Sequence, residues 1–481
     1  MVWRSGRPRA VSSLGACIPG YGLPAVGPRR RVWRVTSTTP PPDAPTVGRP
    51  STALLTDKYE LTMIRAALAD GTADRSCVFE VFARRLATGR RYGVVGGTGR
   101  LLERLVDFRF SDEEIDVVAD ALDDRTVEWL RNYRFTGDID GYAEGELFFP
   151  GSPVLSIRGG FAECVVLETL VLSILNHDSA IASAAARMTS AAAGRPIIEM
   201  GSRRTHEEAA VAAARVSYLA GFTSTSNMEA TRRHGVPSAG TSAHAFTLLH
   251  TGPDGPDEAA AFRSQVATLG VDTTLLVDTY DITAGVATAI EVAGPELGGV
   301  RIDSGDLGVM ARQVRAQLDG LGARNTKIVV SGDLDEYAIA ALRAEPVDVY
   351  GVGTRLVTGS GAPTAGMVYK LVEVDGIPVA KRSAHKESLP GAKRALRLHR
   401  RSGTAVEEIL LPATADAPDT PGLPQRELAV PLVRSGEQVD GLPTLEQSRA
   451  THSDVMVTLP WEGLALSHGD PAVNVRVIPP K

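Results

Sequence analysis

The middle of this chain is built on a rhythm, and few folds can accommodate it. Short apolar runs recur, and each gives way to polar or glycine-rich residues. Run 196–200 precedes Gly201-Ser202-Arg203-Arg204, and run 218–222 precedes Thr223-Ser224-Thr225-Ser226-Asn227. Run 237–239 leads into Gly240-Thr241-Ser242-Ala243-His244, and run 274–277 into Asp278-Thr279-Tyr280-Asp281. Run 299–302 ends in Asp303-Ser304-Gly305-Asp306, run 327–330 in Ser331-Gly332-Asp333, and run 347–350 in Gly351-Val352-Gly353-Thr354. Alanine-rich or amphipathic helical stretches such as 207–220 and 336–343 follow most of them. Strands starting roughly 20 to 40 residues apart with helices between them are βα units, which build a parallel sheet. An open doubly wound sheet would gather its polar residues at one switch point. Here every unit carries a cluster, which favours an α/β (TIM-like) barrel with its chemistry at the C-terminal strand ends.

The flanks differ from this core. Residues 1–50 hold eight Arg and one acidic residue, Asp43, show no periodicity, and are rich in Pro and Gly. They have the composition of a disordered extension. No continuous apolar stretch marks them as a signal peptide. Folded sequence starts near Ser51. Thr56 or Asp57 can cap a helix through Leu61, Ile64 and Leu68 that Gly71 stops. Cys77 to Ala83 is strand-like, 97–131 is helical, and 138–157 contains strand pieces broken by Gly145, Pro150 and Pro153. Beyond about 400 the pattern loosens into Pro/Gly-rich loops and short strands. The expected layout is an extension over 1–50, the N-terminal part of a second domain over 51–150, the barrel over 151–375, and a C-terminal part over 376–481 packing on the N-terminal domain.

Composition removes several classes of function. With 43% hydrophobic and 22% charged residues, the 481-residue chain is ordinary globular protein. No uninterrupted apolar run reaches 18 residues, so no membrane span is expected. Cys17, Cys77 and Cys164 are too few and too scattered for a disulfide framework or a thiolate zinc site, and a reducing cytoplasm suits them. A net charge of −6 argues against a general nucleic-acid binder. No Gly is followed by Lys, so there is no Walker A loop, and GxGxxG, HExxH and GxSxG are all missing.

The polar clusters supply candidate chemistry. Gly353 and Thr354 follow the seventh strand, where barrels commonly bind phosphate through backbone N–H groups; a plain βα turn would look the same. Arg203 and Arg204 end another strand and suit a carboxylate or phosphate. Asp278, Asp281, Asp303, Asp306, Asp333 and Asp335 lie at three successive strand ends. Helix capping explains one Asp per unit but not two. The remainder suit Mg²⁺, ribose hydroxyls or acid–base work. His244 is an imidazole in a mouth lined by Asp and Arg, and so a candidate nucleophile or base. Together these suggest a site for a phosphorylated sugar or nucleotide with Mg²⁺.

Six segments carry a resemblance. Thr56-Asp57-Lys58-Tyr59-Glu60-Leu61, Gly201-Ser202-Arg203-Arg204, Thr225-Ser226-Asn227, Gly240 to Phe246, Arg301 to Leu307 and Tyr350 to Leu356 resemble, in order and spacing, the nicotinate phosphoribosyltransferases. The resemblance covers residue 51 to near the C-terminus and leaves out 1–50. It implies an irregular α/β barrel with a second α+β domain built from the N- and C-terminal regions. It also implies homodimers with shared active sites and a cytoplasmic step of NAD salvage. In that step nicotinate and phosphoribosyl pyrophosphate (PRPP) give nicotinate mononucleotide and pyrophosphate, coupled to ATP hydrolysis. His244 then corresponds to a phosphohistidine. Tyr59, reaching across the dimer, would stack on the pyridine, with Arg203, Thr241 and Arg301 also at the nicotinate. Gly353 and Thr354, with Arg204, Ser331 and Gly332, would hold the phosphoribosyl group, while Asp303 and Asp306 face ribose and Mg²⁺. Relatives that use nicotinamide carry an acidic residue where Ser226 aligns, so Ser226 favours the acid substrate. Nicotinamide phosphoribosyltransferase and an inactive nucleotide-binding paralogue are the alternatives. Deletion of residues 1–50 is expected to leave turnover and location unchanged, which assay and localisation of the truncated protein would check.

Overall fold

The structure, a computed structural model, describes residues 51–381 and 389–479. The expected disordered extension over 1–50 lies outside them. Asp57, with extended backbone, stands at the N-cap of helix Lys58–Asp70, whose Leu61, Ile64 and Leu68 are buried. Gly71 stops the helix at φ 80°, a left-handed conformation that costs glycine little.

Two large sheets follow different rules. The first has seven strands in the order Ile377–Pro378, Met367–Val374, Ser76–Ala83, Leu155–Gly160, Asp138–Tyr142, Ala429–Arg434, Glu437–Gln438, and its neighbours are antiparallel. Segments from both ends of the chain therefore interleave in it. Leu155–Gly160 and Met367–Val374 both pair with Ser76–Ala83, although the expected barrel range 151–375 includes them. Side-chain packing explains their place: Phe79 stacks on Tyr369 at 4.9 Å in the core this sheet covers.

The second sheet is parallel, in the order Thr274–Leu276, Gly299–Ile302, Lys327–Val330, Val349–Val352, Ile197–Glu199, Ser224–Thr225. It is a half-barrel. Run 218–222, expected as a strand, is instead the end of helix Glu207–Leu219 and a turn through Gly221 at φ 110°. A short apolar run does not by itself distinguish a strand from a buried helix end. Run 237–239 supplies only a parallel bridge, Thr225 to Ser238. From that bridge the chain crosses the open side. Ser242 then bonds Gln265, whose amide holds the Thr274 carbonyl on the opposite edge strand. Only three residues lie between Ser238 and Ser242, so a short crossing segment and the Gln265 side chain link the two edges.

Helix Glu168–Ala192 joins the two cores. Its first half, with Leu170, Val171, Ile174 and Leu175, packs under the antiparallel sheet, and its second half, from Ile181 to Ala192, under the parallel one. Within 161–192 the chain is long and apolar enough to cross a membrane, but two-thirds of that window is buried in protein. The alanines let neighbouring elements approach closely.

A third sheet, Gln425–Glu427, Lys393–His399, Ala405–Pro412 and Asn474–Val477, is tied down by buried charge. Arg397, fully buried, reaches Glu146 at 2.5 Å and Glu408 at 2.7 Å. Tyr142 donates to Glu408 at 2.9 Å. Burial opposes ionisation of Glu146, yet Arg397 and Arg426 hold its carboxyl below the ordinary range. Its contribution is therefore present at neutral pH and fades as pH falls through that lowered value. Arg397→Ala leaves the buried Glu408 carboxylate without its cation and Glu146 with Arg426 alone, and is expected to cost about 3–5 kcal/mol in denaturant unfolding. A loss below about 1 kcal/mol would show the network to be no stronger than a surface pair.

Candidate active site

Because the six strands are parallel, every loop that follows one lies along a single rim. His244 opens helix His244–Leu249 beside the edge strand Thr274–Leu276. Its Nδ1 lies 3.1 Å from the Thr279 hydroxyl, and its Nε2 is 4.0 Å from Asp278 Oδ1. The imidazole is 42% exposed while the Asp278 side chain is 1% exposed, so the ring faces solvent with a sealed carboxylate behind it. Asp278 Oδ2 accepts from the Asp303 amide at 2.7 Å and the Ser304 hydroxyl at 2.9 Å, and its Oδ1 has no protein partner. An imidazole so backed can act as nucleophile or base.

The next two strand ends form a relay. Arg301 Nε donates to Ser331 Oγ at 2.9 Å, and Ser331 donates to Asp303 Oδ1 at 2.7 Å. Arg301 Nη2 lies 3.3 Å from Asp303 Oδ2. The guanidinium is held in one orientation, with donors left for an anion. Gly332, at φ 114°, must be glycine, since a Cβ there would lie 2.8 Å from the Asp303 carbonyl oxygen.

Below the far part of the rim Glu199, fully buried, ties two loops together. It accepts from the Gly201 amide and the Thr225 hydroxyl, and Thr225 Oγ1 accepts from the Asn227 amide at 2.9 Å. Burial raises its carboxyl. Gly201 presses on the following loop: a Cβ would fall 2.3 Å from Val357 Cγ1 and 3.1 Å from the Gly353 carbonyl oxygen. Gly353 and Thr354, at the end of strand Val349–Val352, therefore lie against the loop that carries Arg203 and Arg204. Both arginines are exposed. Ser226 is exposed after the edge strand, and Thr241 is exposed on the crossing loop.

The structure thus brings His244, Thr241, Arg301, Asp303, Ser331, Gly332, Gly353, Thr354, Arg203 and Arg204 to one rim. Two expected residues stand apart. Asp306 is spent at least partly on structure, since its Oδ1 caps helix Leu307–Gly320 by accepting from Val309 N at 3.0 Å. Asp281 and Asp335 cap their helices in the same way. The two acids per unit thus divide the work: the second caps, while in two of the three units the first, Asp278 or Asp303, faces the rim. Tyr59, on helix Lys58–Asp70, is 46% exposed. Burial and the neighbouring Glu168, to which it hydrogen-bonds, raise its hydroxyl, and none of its bonds is to a rim residue.

Glu199 was not singled out from sequence, though it had a signal: one acid inside the apolar run 196–200. Glu258 and Gln265, on the helix behind His244, had none.

Comparison with known proteins places the chain in a family and agrees with its fold. The nicotinate phosphoribosyltransferase (NAPRTase) N-terminal domain family matches residues 54–176. The nicotinate phosphoribosyltransferase pncB1 of Mycobacterium tuberculosis is 65% identical over 429 residues, covering 89% of this chain and 95% of its own. That of Bacillus subtilis is 36% identical over 366 residues, covering 72% and 73%. Among solved structures, human nicotinic acid phosphoribosyltransferase superposes with a TM-score of 0.75 at 28% identity, covering 88% of this chain and 97% of that one. With 65% of the aligned residues identical to one such enzyme over 89% of this chain and 95% of that one, the chain belongs to the nicotinate phosphoribosyltransferase family.

Proposed function

We propose that the protein joins nicotinate to the ribose of PRPP, releasing pyrophosphate, while ATP phosphorylates His244, as one step of NAD salvage in the cytoplasm. The observation that carries this reading is the placement of His244, with a sealed carboxylate behind it, on the same rim as Arg301 and the Gly353-Thr354 turn.

In the first half-reaction the ATP γ-phosphoryl passes to an imidazole nitrogen and ADP leaves. Phosphohistidine adds charge and acceptor oxygens that reorder the rim toward PRPP. Arg301, fixed by Ser331 and Asp303, and Thr241 hold the nicotinate carboxylate, with Arg203 as a second cation. Gly353, Thr354 and Arg204, with Ser331 and Gly332, hold the phosphoribosyl group. The pyridine nitrogen attacks ribose C1 as the C1–pyrophosphate bond breaks. Developing positive charge at C1 is stabilised by Asp303 and the leaving charge by arginine. Water then hydrolyses the phosphohistidine to free phosphate. Tyr59, 46% exposed and bonded to Glu168 rather than to a rim residue, would serve the pyridine of a second subunit in a homodimer.

Among the described residues no three His, Cys, Asp or Glu side chains gather to hold an ion. Asp303 already serves Arg301 and Ser331. This set suits Mg²⁺ that arrives on substrate phosphates and takes at most one or two carboxylates from the protein, not a resident ion in a protein cage.

Incubation with labelled ATP is expected to leave acid-labile phosphate on the wild type and none on His244→Ala, with ATP coupling lost in the variant. Label on the variant overturns the assignment. Turnover with PRPP is expected to favour nicotinate over nicotinamide, and Ser226→Asp to weaken nicotinate use at least about tenfold by setting like charges together. Equal use of both substrates by the wild type would sink the specificity reading, and absence of pyrophosphate release with all substrates present would favour an inactive paralogue.

A further inference from the structure

A left-handed backbone is an ordinary way to end a helix or turn a hairpin, but elsewhere it strains any residue with a Cβ. Ala193 ends a helix at φ 51°, and Asp375 and Ser435, both at φ 47°, turn between paired antiparallel strands. Asp333 at φ 47° and Ser360 at φ 51° have neither setting. Asp333 follows Ser331 and Gly332 after strand Lys327–Val330, and Ser360 follows helix Thr354–Val357. The strain thus falls on the two segments that carry the candidate phosphoribosyl residues.

One buried carboxylate joins them. Glu336 opens the helix Glu336–Ala341 that continues from Asp333, and its Oε2 accepts from the Ser360 hydroxyl at 2.5 Å. Its Oε1 accepts from Arg187 Nε at 3.0 Å, with Arg90 Nη1 at 3.7 Å. Arg90 Nη2 donates to the Gly359 carbonyl at 2.7 Å. Thr358, the preceding residue, donates to the Thr354 carbonyl from its amide at 3.1 Å and from its hydroxyl at 2.8 Å. Hydrogen bonds and a short stretch of backbone therefore connect Glu336 to Thr354. The side chains of Arg90, Arg187 and Glu336 are 6%, 4% and 3% exposed. Burial opposes ionisation of Glu336, yet the Ser360 hydroxyl, Arg90 and Arg187 hold its carboxyl below the ordinary range. Two guanidiniums share this one carboxylate, so the cluster keeps a net positive charge, and parting it would leave charge buried and unpaired. Glycine at 360 would relieve the backbone but could not donate to Glu336; serine keeps the bond and accepts the strain.

We propose that Glu336 is a positioning residue for the phosphoribosyl group: through Ser360 it locks the Ser331–Asp333 loop to the Gly353–Thr354 turn, so that both meet the anion in one fixed geometry. This rests on the reading of those two loops as the phosphoribosyl site. The surplus positive charge of Arg90 and Arg187 behind the turn favours an anion there.

The test uses the full-length protein with ATP, nicotinate and PRPP, and reads kcat and the KM of each of the last two. Glu336→Gln cannot satisfy Ser360, Arg187 and Arg90 together. It is expected to raise KM for PRPP about tenfold, the size of a lost hydrogen bond to a charged group, with KM for nicotinate within about twofold of wild type. An unchanged KM for PRPP, whatever kcat does, overturns the role. So does an equal rise in both KM values, which a general loosening would give. Should Glu336→Gln not fold, Ser360→Gly serves, because φ 51° suits glycine and only the hydroxyl is lost. There a raised KM for PRPP alone supports the proposal, and a wild-type value overturns it. Thr354→Ala with a wild-type KM for PRPP ends the reading of the turn instead, so the two failures are distinct.

Discussion

The parallel ladder from Thr274–Leu276 to Ser224–Thr225 is the constraint on which the site depends. Parallel strands require a crossover between each pair, so all their C-terminal ends emerge on one side. Register is set by backbone pairs such as Thr274 with Gly299, Gly299 with Lys327 and Ile198 with Ser224. Slipping one strand would move its polar cluster along the rim and turn its apolar side chains out of the core. The half-barrel's curl matters as much. It brings its edges close enough for residues 238–244 to span them, which carries His244 from the Thr225 edge to Asp278 on the other.

Rigidity comes from outside the rim. Helix Glu168–Ala192, about 37 Å long at 1.5 Å per residue, is shared by both large cores, so neither can shift without the other. The Arg397 network fixes the small sheet through groups whose separation would leave charge buried and unpaired. On this base the rim can be made of loops without losing its geometry.

The site divides charge along the rim. Near His244 the acids Asp278, Asp281 and Glu258 are concentrated, and Arg301 and Asp303 offset each other in the middle. At the far end Arg203 and Arg204 stand exposed beside the glycine turn. Anionic substrate groups would meet opposite charge at Arg301 and at Arg203 and Arg204. Glu199 belongs to the same design one layer down, because a buried carboxylate that accepts from two loops fixes both.

Local sequence was enough to place most elements, because strand and helix periodicity is a local property. It placed helix Lys58–Asp70, the strand Ser76–Ala83 and the four strands from Thr274–Leu276 to Val349–Val352, the last shifted by two residues. It also placed the polar clusters at the strand ends and the motifs that mark the family. Run 218–222 went astray because its apolar residues continue the buried face of helix Glu207–Leu219 and look alike in either state. Which sheet Leu155–Gly160 and Met367–Val374 join was beyond it too, since pairing partners hundreds of residues apart leave no local trace. Asp278 and Asp303 separate from their capping neighbours only in three dimensions. Sequence determined which groups the chain carries and in what order; tertiary structure decided which of them meet and which are shielded from solvent, because proximity and desolvation arise only when distant segments pack.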